Sequence, residues 1–454
     1  MKKIILYFIM LIICSCSKND DDISLVNSNP GELKLEEISF QGNVVTLNWN
    51  DVIDLDEDII YYSLYINSIL IEKTTLSTST LPLEYNNKYD GKIIATDKNG
   101  GVSELDFSIE SPKSKILFFS DVSGKLIAHD LITNKTLWES DTYIREAHTT
   151  YKNMIFSGVD GLNGINILTG ELEWTSSPSN NYNYYKNIIT DNINVYAFND
   201  VSDLQCVNIE TGEKLWDRSF LDYNATLSID ETRIFVSSRN DDHLFAINKV
   251  TGGTDWSLSL DASNKFYTNP LINNDNIYIG DSYGVFYAIN RNNGNKIWTI
   301  DLGRYNTFIV SPTIFENTII TGTYNTLYSL HENNGSIKWT YSPEGTIQTS
   351  PFIYNNSIYI GYSNNGTAEL ICLNAENGNL KWKYDLSSNT TTSPIVYEDT
   401  VYMGDWGNNF YAINSNTGEL EWKIQRANSI ISSPTIVIGN SDTVIYPSSH
   451  GLKN

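Results

Sequence analysis

Five carboxylates crowd into one short stretch of this chain: Asp51, Asp54, Asp56, Glu57 and Asp58. Alternating oxygen donors of this kind suit a hard cation such as Ca²⁺, which takes six to eight oxygens. The stretch lacks a glycine at its sixth position and a closing bidentate glutamate, so it reads as a solvated acidic loop, and no metal is assigned to it. The five histidines, His129, His148, His243, His331 and His450, are scattered, and their neighbours read as strands and hairpin turns. No Gly-x-Ser-x-Gly, His-Glu-x-x-His or phosphate loop occurs. Outside the first 16 residues the cysteines are Cys206 and Cys372, in the similar contexts LQCVNI and LICLNA, which read as buried small apolar residues. Catalysis therefore has no candidate residue, and no cofactor is expected. Binding has one: tyrosine and arginine gather in the loops between repeats, and these residue types are enriched where interfaces concentrate their energy.

The chain must be divided before those loops can be placed. Lys2 and Lys3 precede an apolar run, Ile4 to Ile13, too short for a membrane span of roughly 20 residues. The run ends in Ile13-Cys14-Ser15-Cys16, which resembles the lipobox of bacterial lipoproteins. That resemblance implies a signal peptide over 1–15 and a lipid on Cys16. The acidic segment Asp20-Asp21-Asp22 behind it resembles the surface-export signal of lipoproteins from Bacteroidota-type Gram-negative bacteria. It implies an outer-membrane lipoprotein at the cell surface, with 16–30 as a flexible acidic tether.

Residues 31–111 read as a small β-sandwich. Leu33–Phe40, Val44–Trp49, Tyr61–Ile66, Ile69–Glu72, Tyr89–Thr96 and Glu104–Ile109 alternate apolar and polar residues between Asn- and Gly-bearing turns. The strand VVTLNWN, with Trp49, and the later LEYNNKYDGKIIATD resemble a fibronectin type III domain.

Residues 113–454 are a repeat. Trp138, Trp174, Trp216, Trp256, Trp298, Trp339, Trp382 and Trp422 are separated by 36, 42, 40, 42, 41, 43 and 40 residues. Each follows a turn, NKTLW at Trp138 and of the Thr-Gly or Asn-Gly kind at the other seven, and before each turn stands a strand such as FYAIN. Ser-Pro or Asn-Pro opens the later units at Asn269-Pro270, Ser311-Pro312, Ser350-Pro351, Ser393-Pro394 and Ser433-Pro434, where proline costs a strand no ladder bond. About 40 residues and four strands make one propeller blade. These units resemble PQQ-like repeats and imply an eight-bladed β-propeller, so the fold class is all-β, a propeller preceded by a sandwich. Each Trp is expected to pack across the gap onto the next blade. The last Ser-Pro strand, ISSPTIVI, is expected to complete a blade with the first unit.

The loops from one outer strand to the next inner strand emerge on a single face. They carry Tyr143, Arg145, Tyr182, Tyr184, Tyr185, Tyr223, Phe266, Tyr267, Arg304, Tyr305 and Phe308, which form the expected partner site. The net charge of −24 opposes nucleic acid, because a phosphate backbone is repelled by such a field. The expected function is a lipid-anchored cell-envelope scaffold that offers this face to a protein or glycan and holds to the membrane by its lipid. The alternative that the resemblance implies is a quinoprotein oxidoreductase using PQQ and Ca²⁺. Against it, no adjacent cysteines and no long insertion interrupt the repeats.

Overall fold

The computed structural model describes residues 27–55, 57, 59–140, 149–158, 161–176, 186–199, 202–220, 225–238, 242–259, 265–266, 268–303 and 307–447. Cys16, the tether up to residue 26, Asp56, Asp58, His148 and His450 lie outside them. All regular structure among the described residues is β-strand. The chain divides into two compact units, Met1–Ser111 and Pro112–Asn454.

The first unit has two antiparallel sheets. Val44–Trp49 lies between Leu35–Gln41 and Thr78–Pro82. In the other sheet the order is Ile69–Thr74, Tyr61–Ile66, Lys88–Thr96, Val102–Glu110. Val45, Leu47 and Trp49 of one sheet and Leu64, Ile93 and Ala95 of the other share a single apolar core. Period-two alternation puts these residues on one face of each strand. The strand Thr78–Pro82 has no counterpart in the sequence reading. Its Ser/Thr-rich TSTLP resembles turn chemistry, and only pairing with Val44–Asn48 makes it a strand.

The second unit holds, among the described residues, eight antiparallel sheets. Seven are local meanders, over residues 149–176, 186–219, 226–259, 271–301, 308–341, 346–386 and 395–425. Within each the chain runs from an inner strand through a second and third to an outer one. The second strands are buried along nearly their whole length, Met154–Gly158 and Thr400–Gly404 at every position. They are covered on both faces, which is why they read as unbroken apolar runs rather than alternations. Outer strands such as Leu420–Gln425 alternate exposed and half-buried residues.

The eighth sheet closes the seam. Thr435–Ile438 pairs with Lys115–Ser120, setting Ile436 opposite Leu117, and Leu126–Asp130 and Lys135–Glu139 follow. First and last segments thus share one sheet, as the sequence implies. The strand Thr443–Ile445 adds a fifth member beyond Thr435–Ile438. It leads into Tyr446, whose hydroxyl accepts the Thr150 N–H at 3.1 Å, tying the seam to the next sheet. Closing the sheet removes the free edge of Lys115–Ser120 that would otherwise invite pairing.

Candidate functional site

The repeat residues form the joints between sheets. The indole N–H of each of seven tryptophans donates to a main-chain carbonyl of the following sheet, from Trp138 to Ile167 (2.9 Å) through Trp339 to Ala375 (3.1 Å) and Trp382 to Ser415 (2.9 Å). In every outer strand the register shifts just before the Trp, so one extra residue is bulged out, as between Thr136 and Trp138. A bulge re-aims the side chain after it and spoils the strand as a template for pairing.

The ring of each of these seven Trp lies on a glycine. A Cβ at Gly378 would stand 2.6 Å from Trp339 Cε3, and φ there is +73°, open to glycine at no cost. The Asn four residues earlier caps the turn: Asn374 Oδ1 accepts the N–H groups of Glu376 and Asn377. At the seam Asn134 takes the glycine's place with φ +54°, and Trp422 packs beside His129, whose Nε2 bonds Asn134 Oδ1 at 2.9 Å. Burial pushes the His129 imidazole below its ordinary pKa, in keeping with a neutral structural ring.

Serines of the Ser-Pro pairs do more than open strands. The Ser311 N–H donates to Ser350 Oγ (3.2 Å), Ser350 N–H to Ser393 Oγ (2.9 Å) and Ser393 N–H to Ser433 Oγ (2.8 Å), with Asn269 N–H feeding Ser311 Oγ (3.2 Å). A hydrogen-bonded ladder therefore runs from inner strand to inner strand. Cys206 and Cys372 are fully buried in separate sheets, and burial pushes the Cys206 thiol up to about 12.

The seam carries a titratable joint as well. Arg426 Nη1 donates to Glu139 Oε1 at 2.6 Å, and that bond holds the Glu139 carboxyl below its ordinary value of 4.5. A group depressed in the folded state adds stability above its unfolded pKa, and the gain is lost as pH falls through the folded one. Stability should accordingly drop below pH 4.5. Glu139→Gln should lose less than the parent between neutral pH and about pH 3 in denaturant titrations.

By topology, the sheets have two ends. The end with the inner-to-second and third-to-outer turns holds a cavity of about 730 Å³, walled by Pro270, Leu271, Ile314 and Phe352. Its charged groups are Asp191, Asp230, Glu231, Lys249 and Arg291. They face one another across sheets: Lys249 Nζ lies 2.9 Å from Asp191, and Arg291 Nη1 lies 3.4 Å from Glu231 and 3.6 Å from Asp230. The opposite end carries the outer-to-inner loops, together with the second-to-third turns.

At that loop end, Tyr143, Arg145, Tyr182, Tyr184, Tyr185, Tyr223, Tyr267, Arg304 and Tyr305 lie outside the described residues. Phe266 and Phe308 do not belong to a contact surface: both are fully buried. Phe266 stands edge-on to Tyr287, and Phe308 occupies the space that a side chain at Gly280 would need, beside Phe286 at 5.1 Å. Phe308 serves the core because its strand begins earlier than its Ser-Pro pair, and Phe266 pairs in a single bridge with Asp281 ahead of the strand Leu271–Asn273. The structure instead exposes Tyr283, Tyr324 and Trp406, all in second-to-third turns. The sequence does mark Trp406, as the one tryptophan of the repeat region that is off the period.

In the first unit Asp54 is buried and accepts Ser28 Oγ at 2.9 Å. Among the described residues no three His, Cys, Asp or Glu side chains gather to hold a metal.

Stacked sheets of four or five strands joined through Trp, Gly and Ser make the second unit a β-propeller of PQQ-like repeats. The family described as outer membrane protein assembly factor BamB matches residues 86–299, 284–367 and 358–452, and the chain belongs to it. No curated protein matches the sequence. Among solved structures, BamB from Moraxella catarrhalis is 15% identical with a TM-score of 0.55, over 66% of this chain and 96% of that one. The computationally designed Ika8 protein is 14% identical with a TM-score of 0.55, over 76% and 95%. Quinohemoprotein alcohol dehydrogenase from Comamonas testosteroni is 9% identical with a TM-score of 0.51, over 65% and 70%. Identities this low establish the fold alone. The residues of the 730 Å³ cavity do not fit a polycarboxylate such as PQQ: three carboxylates stand against two cations, and each cation is already paired.

Proposed function

We propose that this chain is a lipid-anchored cell-envelope protein whose eight sheets form a closed, non-catalytic propeller that offers its loop end to a protein or glycan partner. The observation that carries this reading is the employment of the repeat residues. The repeat Trp, the turn Gly or Asn beneath it and the Ser of the later units are committed to joints between sheets, and the cavity's Lys249 and Arg291 to ion pairs. What differs from unit to unit, and remains for recognition, is the loops. Membership in a family described as outer membrane assembly factors supports an envelope role built on binding, and a Cys16 lipid and the 16–30 tether fit that location.

The three-plus-four strand order of the first unit, with Tyr89 Oη accepting the Glu84 N–H at 2.9 Å, suits a fibronectin type III-like spacer. Likeness to a quinohemoprotein dehydrogenase keeps an oxidoreductase as the second reading. Stoichiometric quinone retained by the purified protein after addition of PQQ and Ca²⁺, with dye reduction, would establish that reading and end the first.

The direct test is a pull-down from membranes with the mature protein. Combined Tyr184→Ala, Tyr267→Ala and Tyr305→Ala should remove the captured partner and leave the melting temperature unchanged if these residues act in recognition, where tyrosine concentrates contact energy. An unaltered partner set would exclude those loops.

A further inference from the structure

We propose that Trp406 is the stacking platform of a binding site for a neutral glycan on the loop end of the propeller. The inference rests on the reading of that end as the recognition face and goes further, to the chemistry of the ligand.

Trp406 lies in the turn between the strands Thr400–Gly404 and Asn409–Asn414, and 49% of it is exposed. Its exposure is not looseness. The main-chain N–H donates to the Asn389 carbonyl (2.8 Å), the carbonyl accepts Ser429 Oγ (2.6 Å), and the indole N–H donates to Thr391 Oγ1 (3.2 Å). Two neighbouring loops therefore hold a large apolar ring at the surface in one orientation. A ring so fixed loses little further entropy on binding. It is also unlike the eight repeat tryptophans, whose rings lie on the next sheet.

The surroundings define the ligand. Asp405, directly before Trp406, is fully buried, and its carboxylate is taken up by Ser387 Oγ (2.7 Å), the Tyr411 hydroxyl (2.7 Å) and the Asn409 N–H (2.9 Å). Arg426 is turned to Glu139. The side chains that hydrogen bonds place beside Trp406 are neutral hydroxyls and an amide: Thr391 Oγ1 on the indole N–H, Ser429 Oγ on the main-chain carbonyl, and Asn408, whose Oδ1 accepts Ser429 Oγ at 3.3 Å. An aromatic face edged by neutral donors and acceptors matches a pyranose, which has a C–H face to lay on the ring and hydroxyls to give to amides. A polyanion is disfavoured by the net charge of −24. A protein anchor would call for an apolar pocket sealed from water, and this rim is polar. Tyr324 takes the same turn position two sheets earlier and is also exposed.

The test is mobility in native gels cast with dextran, laminarin, xyloglucan or yeast mannan. At least one of these should retard the full chain. Trp406→Ala should weaken that retardation about tenfold or more, equal to ~1.4 kcal/mol. Trp406→Tyr, which keeps a ring, should restore part of it, with all melting temperatures unchanged. Retardation by none of the four, or retardation indifferent to Trp406→Ala, overturns the assignment. So does loss of a membrane-protein partner in Trp406→Ala without any polysaccharide effect, which would make the surface a protein contact. The triple-tyrosine pull-down reads the recognition face by itself, so the two ideas fail separately.

Discussion

Gly378→Ala is expected to destabilise the propeller by about 3 kcal/mol, although it adds a single methyl group in a hairpin turn whose other residues are exposed. Two costs combine. Gly378 has φ +73°, and a left-handed backbone costs a residue with a Cβ about 1–2 kcal/mol. The new Cβ would also stand 2.6 Å from Cε3 and 2.9 Å from Cδ2 of Trp339. That ring cannot retreat, because its N–H is held by the Ala375 carbonyl and its far side is packed in the core between two sheets. Overpacking of this kind adds about 1–3 kcal/mol. Gly366 supplies the control. Its φ is +97°, with nothing within 4 Å of a Cβ, so Gly366→Ala should show the backbone cost alone. The comparison is made by denaturant titration of the full chain, following the transition of the second unit. Equal losses in the two variants would mean that the ring moves freely and that the joint is soft.

Trp339→Ala should cost more, about 3–5 kcal/mol, the usual range for deleting a large buried aromatic side chain. Trp339 is 9% exposed and contributes to the core shared by the 308–341 and 346–386 sheets. Its removal opens a gap between sheets and strips the Ala375 carbonyl of its donor. The two substitutions should be strongly non-additive. With the ring gone, Gly378→Ala has nothing to collide with, and its cost should fall to about 1 kcal/mol. Strict additivity would show that the glycine is there for the turn alone and not for the tryptophan.

Much of this architecture is legible in the order of residues. The Trp spacing, the Asn-capped turns and the alternation of strands such as FYAIN are local signals, so they survive without knowledge of the neighbours. The seam follows from counting: one Ser-Pro strand too many at the end, one too few at the start. Other features were hidden. Thr78–Pro82 is a strand only because Val44–Asn48 is there to pair with it. Phe266 and Phe308 sit in segments that read as loops, and only the glycine opposite Phe308 reveals that the ring turns inward. Trp406 stood in view as an off-period tryptophan. Its meaning came from Thr391 and Ser429, 15 and 23 residues away.

The sequence by itself determined the repeat, the strands within each unit and the places where the chain must turn. These rest on steric preferences and periodicities acting over a few residues, and each unit carries its own copy. The tertiary structure alone decided which residues hold the units together and which are left for a partner. Trp339 finds Ala375 across 36 residues and Ser350 finds Ser393 across 43. Contacts at that separation exist only once neighbouring sheets are stacked, and their geometry sets whether an aromatic ring becomes core, joint or exposed surface.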